Sequence, residues 1–254
     1  MNAWPIDMLQ QGDVYVADAF GKVAWGTLIG DNLGNAIYAK SGNGVVFDGS
    51  LRDLADHYGH FGVNDAIRLG RAVEPYRLAW LEDMVPWDYT EMWKEITTAI
   101  ETPTITGEDI YLLEHFKPLI DARAVDLIHP DPNSAGGILE TKRIGDYAEE
   151  HGIAQALHHA ASPVSFLGSV HSAVATGNFI ALEHHSVDNP WWESLVTGFD
   201  GPIVQDGFVT VPETPGLGVA LNEEAVREHL REGTELFAPT PEWNEPRSWD
   251  RSWS

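Results

Sequence analysis

Leu78-Ala-Trp-Leu-Glu82 and Thr104-Ile-Thr-Gly-Glu108 are two short apolar runs that each end on a carboxylate and are each followed by a helical stretch. The pattern recurs in Val125-Asp-Leu-Ile-His-Pro-Asp131, Ile153-Ala-Gln-Ala-Leu-His158 and Phe179-Ile-Ala-Leu-Glu183. By subtraction the terminal residues stand 26, 23, 27 and 25 positions apart. Asp56, in Asp56-His-Tyr-Gly-His60, stands another 26 before Glu82. Short apolar runs alternating with amphipathic stretches signal βαβ units and a parallel sheet. Helical periodicity shows in Ala66, Leu69, Gly70 and Val73, and again in Ile138, Ile144, Tyr147 and Ala148. Thr90 is the expected N-cap of a helix over 91–100, and Gly152 the stop before the next strand.

A period near 25 fits a (β/α) barrel of the TIM type better than an open sheet, and six repeats can be counted. The strand C-termini of such a barrel face one mouth, so the polar residues that end the runs converge there. A full barrel has eight strands in about 250 residues, so the first two are missing or replaced. Residues 1–55 lack the repeat and read as a β-rich segment, with strands over 14–17, 36–39 and 45–47 and glycines between them. The expected organisation is an N-terminal segment 1–55, a barrel region 56–238 and an extended tail 239–254 rich in Pro, Trp and Ser.

Composition narrows the function. A net charge of −24 argues against a nucleic-acid partner, whose phosphates need clustered Lys and Arg. With no cysteine, disulfides and thiolate chemistry are excluded. Residues 1–11 carry no basic n-region, and no apolar run approaches the roughly 18 residues of a spanning helix. The expectation is a soluble, cytoplasmic protein without a membrane partner.

Asp56, Glu82 and Glu108 end three successive runs. Any one of them is an ordinary acid among 39, but the shared register sets them apart. Hard oxygen ligands that leave room for water and substrate suit Mg²⁺. Asp131 and His158 end the next two runs. A carboxylate beside an imidazole fixes its tautomer and raises its basicity, which makes a general base. His159 is adjacent and points the other way on a strand, so the pair is assigned to within one position. Glu183 closes the ring, either as a hydrogen-bond donor or as an acid at the barrel rim.

These residues carry a family resemblance. The segment from Asp56 to about Leu230 resembles the barrel domain of the enolase superfamily, in its mandelate racemase-like branch, and most of all the acid-sugar dehydratases. The matching stretches are 78–86, Thr-Gly-Glu-Asp-Ile-Tyr (106–111), His-Pro-Asp (129–131), Gly136-Gly-Ile-Leu-Glu-Thr-Lys142, the His158 strand and Asn178-Phe-Ile-Ala-Leu-Glu183. Gly207-Phe-Val-Thr-Val-Pro and Pro215-Gly-Leu-Gly218 match the family's C-terminal hairpin. The resemblance implies Asp56, Glu82 and Glu108 as Mg²⁺ ligands, Asp131 with His158 as the base dyad, and Glu183 as a donor to the substrate carboxylate. The implied reaction removes the α-proton of a small hydroxy-carboxylate, an acid sugar, through an enediolate and eliminates water. His60 is a further candidate for substrate binding. Barrels of this family commonly associate, so a homo-oligomer is also expected. The family's capping domain, its first two barrel strands and a Lys acid/base are not recognisable, and Leu51-Arg-Asp-Leu-Ala55 is too charged for a buried parallel strand.

Residues 12–53 resemble a second family, the RraA-like proteins, which include metal-dependent oxo-acid aldolases and ribonuclease regulators. Gly12-Asp-Val-Tyr-Val-Ala-Asp18, Gly30-Asp-Asn-Leu33 and Gly44-Val-Val-Phe-Asp-Gly-Ser-Leu-Arg-Asp53 carry this likeness. It implies Asp31 and Asp53 as metal-site residues and Arg52 as the grip on an oxo-acid carboxylate. Gly-Asp and Asp-Gly pairs are also ordinary turn chemistry. The alternatives to the dehydratase are therefore an RraA-like aldolase or regulator, and a catalytically inactive fusion of two partial domains that meet near Ala55.

Overall fold

The structure is a computed structural model that describes residues 10–11, 15–18, 45–48, 62–186 and 189–237. The two expected N-terminal strands inside that set appear as β1 (Tyr15–Asp18) and β2 (Val45–Asp48). They pair in parallel, from Tyr15 opposite Val45 to Asp18 opposite Asp48. The strand expected over 36–39 and the tail 239–254 lie outside the described residues.

The barrel region follows the repeat read from the sequence. Helix α1 (Val63–Val73) leads to β3 (Leu81–Glu82), and α2 (Thr90–Ala99) connects it to β4 (Thr104–Thr106). Helix α3 (Leu112–Ala122) leads to β5 (Leu127–Ile128). A short α4 (Pro132–Ala135) and a long α5 (Ile138–Glu150) precede β6 (Ala154–Leu157), and α6 (Pro163–Val174) precedes β7 (Phe179–Leu182). The five strands form one parallel sheet in chain order, β3-β4-β5-β6-β7. Strands that neighbour one another in chain order, each joined by a helix, wind as a barrel does and not as a doubly wound sheet. Five of the six expected repeats lie within the described residues; the one ending on Asp56 lies outside them.

The side-chain alternation of a strand sorts each repeat into two faces. Leu81 and Ile128 join the core between sheet and helices with Trp93 and Ile96 of α2, Phe116, Leu119 and Ile120 of α3, and Ile144 and Ala148 of α5. Each large side chain fully buried there contributes roughly 1.5–3 kcal/mol. Ile105, Leu127 and Ala156 form a separate cluster on the opposite face, with Trp80, Ala154 and Ala181 packed against it. That inner face fixes where the site lies. Counting on by two, Trp80 leads to Glu82, Leu127 to His129, Ala156 to His158 and Ala181 to Glu183.

Two helix ends refine the sequence reading. Gly152 stops α5 as expected, at φ +74°. Its N–H reaches Glu149 O (3.0 Å) while Ile153 N–H reaches Ala148 O (2.9 Å), the Schellman closure. Thr90, expected as an N-cap, is instead the first residue of α2, and the cap is Tyr89 without a side-chain bond. The cause is a preceding turn, Tyr89 N–H to Pro86 O at 3.1 Å, which presents the Tyr89 carbonyl to Met92 and Trp93 one residue earlier.

Past β7, the antiparallel pair β8 (Val196–Thr197) and β9 (Ala220–Leu221) carries the expected C-terminal hairpin region, followed by α7 (Glu223–Glu228). Trp192, Val196 and Ile203 pack on Phe166, Leu167 and Val170 of α6, with Val209, Val211, Leu217 and Val219 around them. Gly218, at φ +79°, sits so close to Pro212 that an added Cβ would overlap the proline ring.

Candidate active site

The strand ends bring Glu82, Glu108, Asp131, His158 and Glu183 to one place. His158 is its centre. Its Nδ1 donates to Asp131 Oδ2 at 2.8 Å, and its Nε2 lies 2.8 Å from Glu108 Oε2 and 3.5 Å from Glu183 Oε2. Asp131 is itself fixed, because its other oxygen accepts from both the backbone N–H and the Nδ2 of Asn133 at 2.8 Å, capping α4. Ser134 of α4 donates to Glu108 O at 2.6 Å, tying the β4 and β5 ends together. The neighbouring histidine is clearly separated. His159 is fully buried on the helix side, with Nε2 3.0 Å from Ser165 Oγ and its ring against Phe166 and Trp192.

A second histidine, in the His-Pro-Asp stretch of 129–131, completes the cluster. His129 is buried, with Nδ1 2.9 Å from Glu82 Oε1 and Nε2 3.7 Å from Asp83 Oδ1. Its ring stands edge-on to His158, with centroids 6.0 Å apart. Asp83 in turn accepts from Thr106 Oγ1 at 2.5 Å. The signal for His129 was in the sequence: it stands two residues beyond Leu127 and so shares its inward face. Asp56, His60, Asp31, Arg52 and Asp53 lie outside the described residues.

The electrostatics follow from packing this many carboxylates around two imidazoles. Burial alone would lower the His158 pKa. The hydrogen bonds to Asp131 and Glu108 and the charges of Glu183 and Glu108 outweigh it, and the imidazole is raised to about 10. For His129, burial is again opposed by Glu82 and Asp83, and the balance lies well above the usual histidine range. Burial works to raise the Asp131 carboxyl, but its bonds from His158 and Asn133 N–H prevail and hold it low. Asp109 is raised, first by burial and then by the Glu108 and Asp83 charges. His159 and His184, in the apolar cluster, are lowered by burial.

The donor set suits a divalent ion. One ligand atom each from Glu82, Glu108 and His129 lie within 4.8 Å of one another, and His129 Nε2 is buried without a hydrogen-bond partner. Carboxylates with an imidazole form a hard-to-borderline site that accepts Mg²⁺ or Mn²⁺.

A parallel β/α sheet with acids and a His-Asp pair at its strand C-termini defines a class, the (β/α)-barrel enzymes whose chemistry sits at the barrel mouth. Residues 46–225 match the family described as Enolase C-terminal domain-like, and the chain belongs to that family. Residues 3–64 match the Aldolase/RraA family, overlapping the first match over 46–64. The D-xylonate dehydratase of Haloferax volcanii is 38% identical over 190 residues, which are 74% of this chain and 46% of that protein. Among solved structures, a mandelate racemase/muconate lactonizing enzyme-like protein from Rubrobacter xylanophilus superposes with a TM-score of 0.69 at 31% identity, covering 93% of this chain and 61% of that one. An enolase from Pantoea ananatis with bound D-gluconate and Mg superposes with a TM-score of 0.62 at 29% identity, covering 80% and 47%. The chain spans about half the length of the curated relatives it matches. Among the described residues, no helix is long and apolar enough to cross a membrane.

Proposed function

We propose that this chain carries the catalytic half of a Mg²⁺-dependent acid-sugar dehydratase, with His158 as the base that removes the proton next to the substrate carboxylate. The observation that carries this reading is the clamp on His158, 2.8 Å from both Asp131 and Glu108 at the mouth of the sheet. The likeness to a D-xylonate dehydratase and to a structure holding D-gluconate and Mg supports the substrate class.

In this reading Glu82 and Glu108 hold the metal, with Asp56 as a third carboxylate. When bound, the ion supplies positive charge that stabilises the oxyanion developing on the substrate carboxylate. Asp131 keeps the proton on Nδ1 of His158, which leaves Nε2 as the lone pair that accepts the α-proton. With Glu108 holding a cation, His158 would lose one of the carboxylates that raise its pKa, and its basicity would move toward the working range of a general base. Glu183, 3.5 Å from Nε2, lies where it can donate to a substrate oxygen when protonated. The proton that His158 has taken can pass to the β-hydroxyl, which leaves as water, and the resulting enol rearranges to the 2-keto acid. The segments 1–55 and 239–254 flank this unit, with the boundary near residue 55.

The test is an assay for 2-keto-acid product with Mg²⁺ and a panel of sugar acids, xylonate, gluconate and galactonate among them. His158→Ala and Glu108→Ala should each lower turnover at least about 10²-fold, the usual contribution of a general base. Turnover untouched by either substitution would overturn the proposal.

A further inference from the structure

The cluster holds one group that three carboxylate ligands do not account for. His129 is placed by β5 on the inner face, its side chain is 5% exposed, and its Nε2 stands 3.7 Å from Asp83 Oδ1. The Nδ1 of the same ring stands 2.9 Å from Glu82 Oε1. Ligands at about 2.1 Å in adjacent octahedral positions lie about 3.0 Å apart. The spacing that makes a hydrogen bond without metal is therefore also that of two neighbouring ligands on one ion. Glu108, the third member, is within the same 4.8 Å span.

We infer that His129 is a nitrogen ligand of the metal centre, so that the ion is held by mixed nitrogen and oxygen donors. The inference rests on the metal-dependent reading above and adds to it. An imidazole ligand also moves metal preference. An all-oxygen site suits Mg²⁺, whereas a nitrogen donor favours Mn²⁺, Co²⁺ and their borderline neighbours. The chain should therefore bind Mn²⁺ more tightly than Mg²⁺ by a margin that His129 sets.

The experiment loads the full chain with Mn²⁺ and records the electron spin-echo envelope for ¹⁴N coupling, alongside calorimetric titrations with Mn²⁺ and with Mg²⁺. The wild type should show a directly bound imidazole nitrogen. His129→Gln should lose it and bind Mn²⁺ about tenfold or more weakly, with a smaller loss for Mg²⁺. His158→Asn should keep the coupling, which excludes the other site histidine as its source. His129→Asn serves as a second variant should the glutamine not fit, and circular dichroism confirms that each is folded. Mn²⁺ bound in a Glu108-dependent manner without ¹⁴N coupling, or coupling that survives both His129 substitutions, overturns the inference. So does an absence of Mn²⁺ binding. Keto-acid turnover without coupling would sink this inference alone. Coupling without turnover on any sugar acid would sink the dehydratase reading and leave the ligand assignment standing.

Discussion

The clearest thermodynamic consequence of the site concerns the metal-free protein as pH rises. In the folded chain His158 carries a proton up to about pH 10, against 6.5 for a free histidine. A group whose folded pKa is raised stabilises the fold fully below its unfolded pKa, and that stability is lost as pH rises through the folded value. The window is therefore 6.5 to about 10. At 1.36 kcal/mol per pH unit the interval corresponds to on the order of 5 kcal/mol. Solvent at the partly open mouth and the shared carboxylates reduce this, so a few kcal/mol is the expected size. Urea unfolding in EDTA at pH 6.5, 8 and 9.5 measures it. The difference between wild type and His158→Gln isolates the imidazole from the chain's other titrations. Wild type should lose its advantage, or change sign against the variant, across that window. Parallel pH profiles for the two proteins would show that the clamp around His158 stores no such energy, and the electrostatic account of the site would fall.

Three other outcomes are expected. Gly218→Ala should destabilise the hairpin by about 1–3 kcal/mol, because its Cβ would collide with Pro212 at a backbone angle that alanine disfavours; an unchanged Tm would contradict the packing described. Thr97→Val removes the Oγ1 bonds to Ala124 O (2.7 Å) and Thr104 Oγ1 (2.6 Å), and should cost about 1–3 kcal/mol in a urea titration by orphaning a buried carbonyl. A net charge of −24 opposes compaction by self-repulsion. Raising KCl from 0.05 to 2 M should therefore raise Tm, by roughly 2–4 °C for each kcal/mol of repulsion screened; a flat or falling Tm would count against it.

The sequence made the strand ends legible because the repeat is dictated by geometry. A strand, a helix and two turns occupy about 25 residues, so the polar residue that closes each run is marked by position. Glu82, Glu108, Asp131, His158 and Glu183 are marked in this way, and the strand ends bring them together. His129 is less plainly marked, because Asp131 closes its run and only the alternation that continues from Leu127 points to it. Helix starts were less legible for a different reason. Thr90 has the right chemistry for a cap, but the Pro86–Tyr89 turn delivers a backbone carbonyl one residue sooner, and no side-chain preference reveals that. The ambiguity between His158 and His159 needed the packing of α6 to resolve, because both are histidines and only their surroundings differ.

The two oxygens of Asp131 look in opposite directions, one toward His158 and the other toward the backbone amide of Asn133. That amide proton is therefore a built-in spectroscopic reporter. In a ¹⁵N-labelled sample its chemical shift should follow the charge on the carboxylate, and so register proton loss from His158, metal loading and substrate arrival. No extrinsic probe need be attached at the site to watch it work.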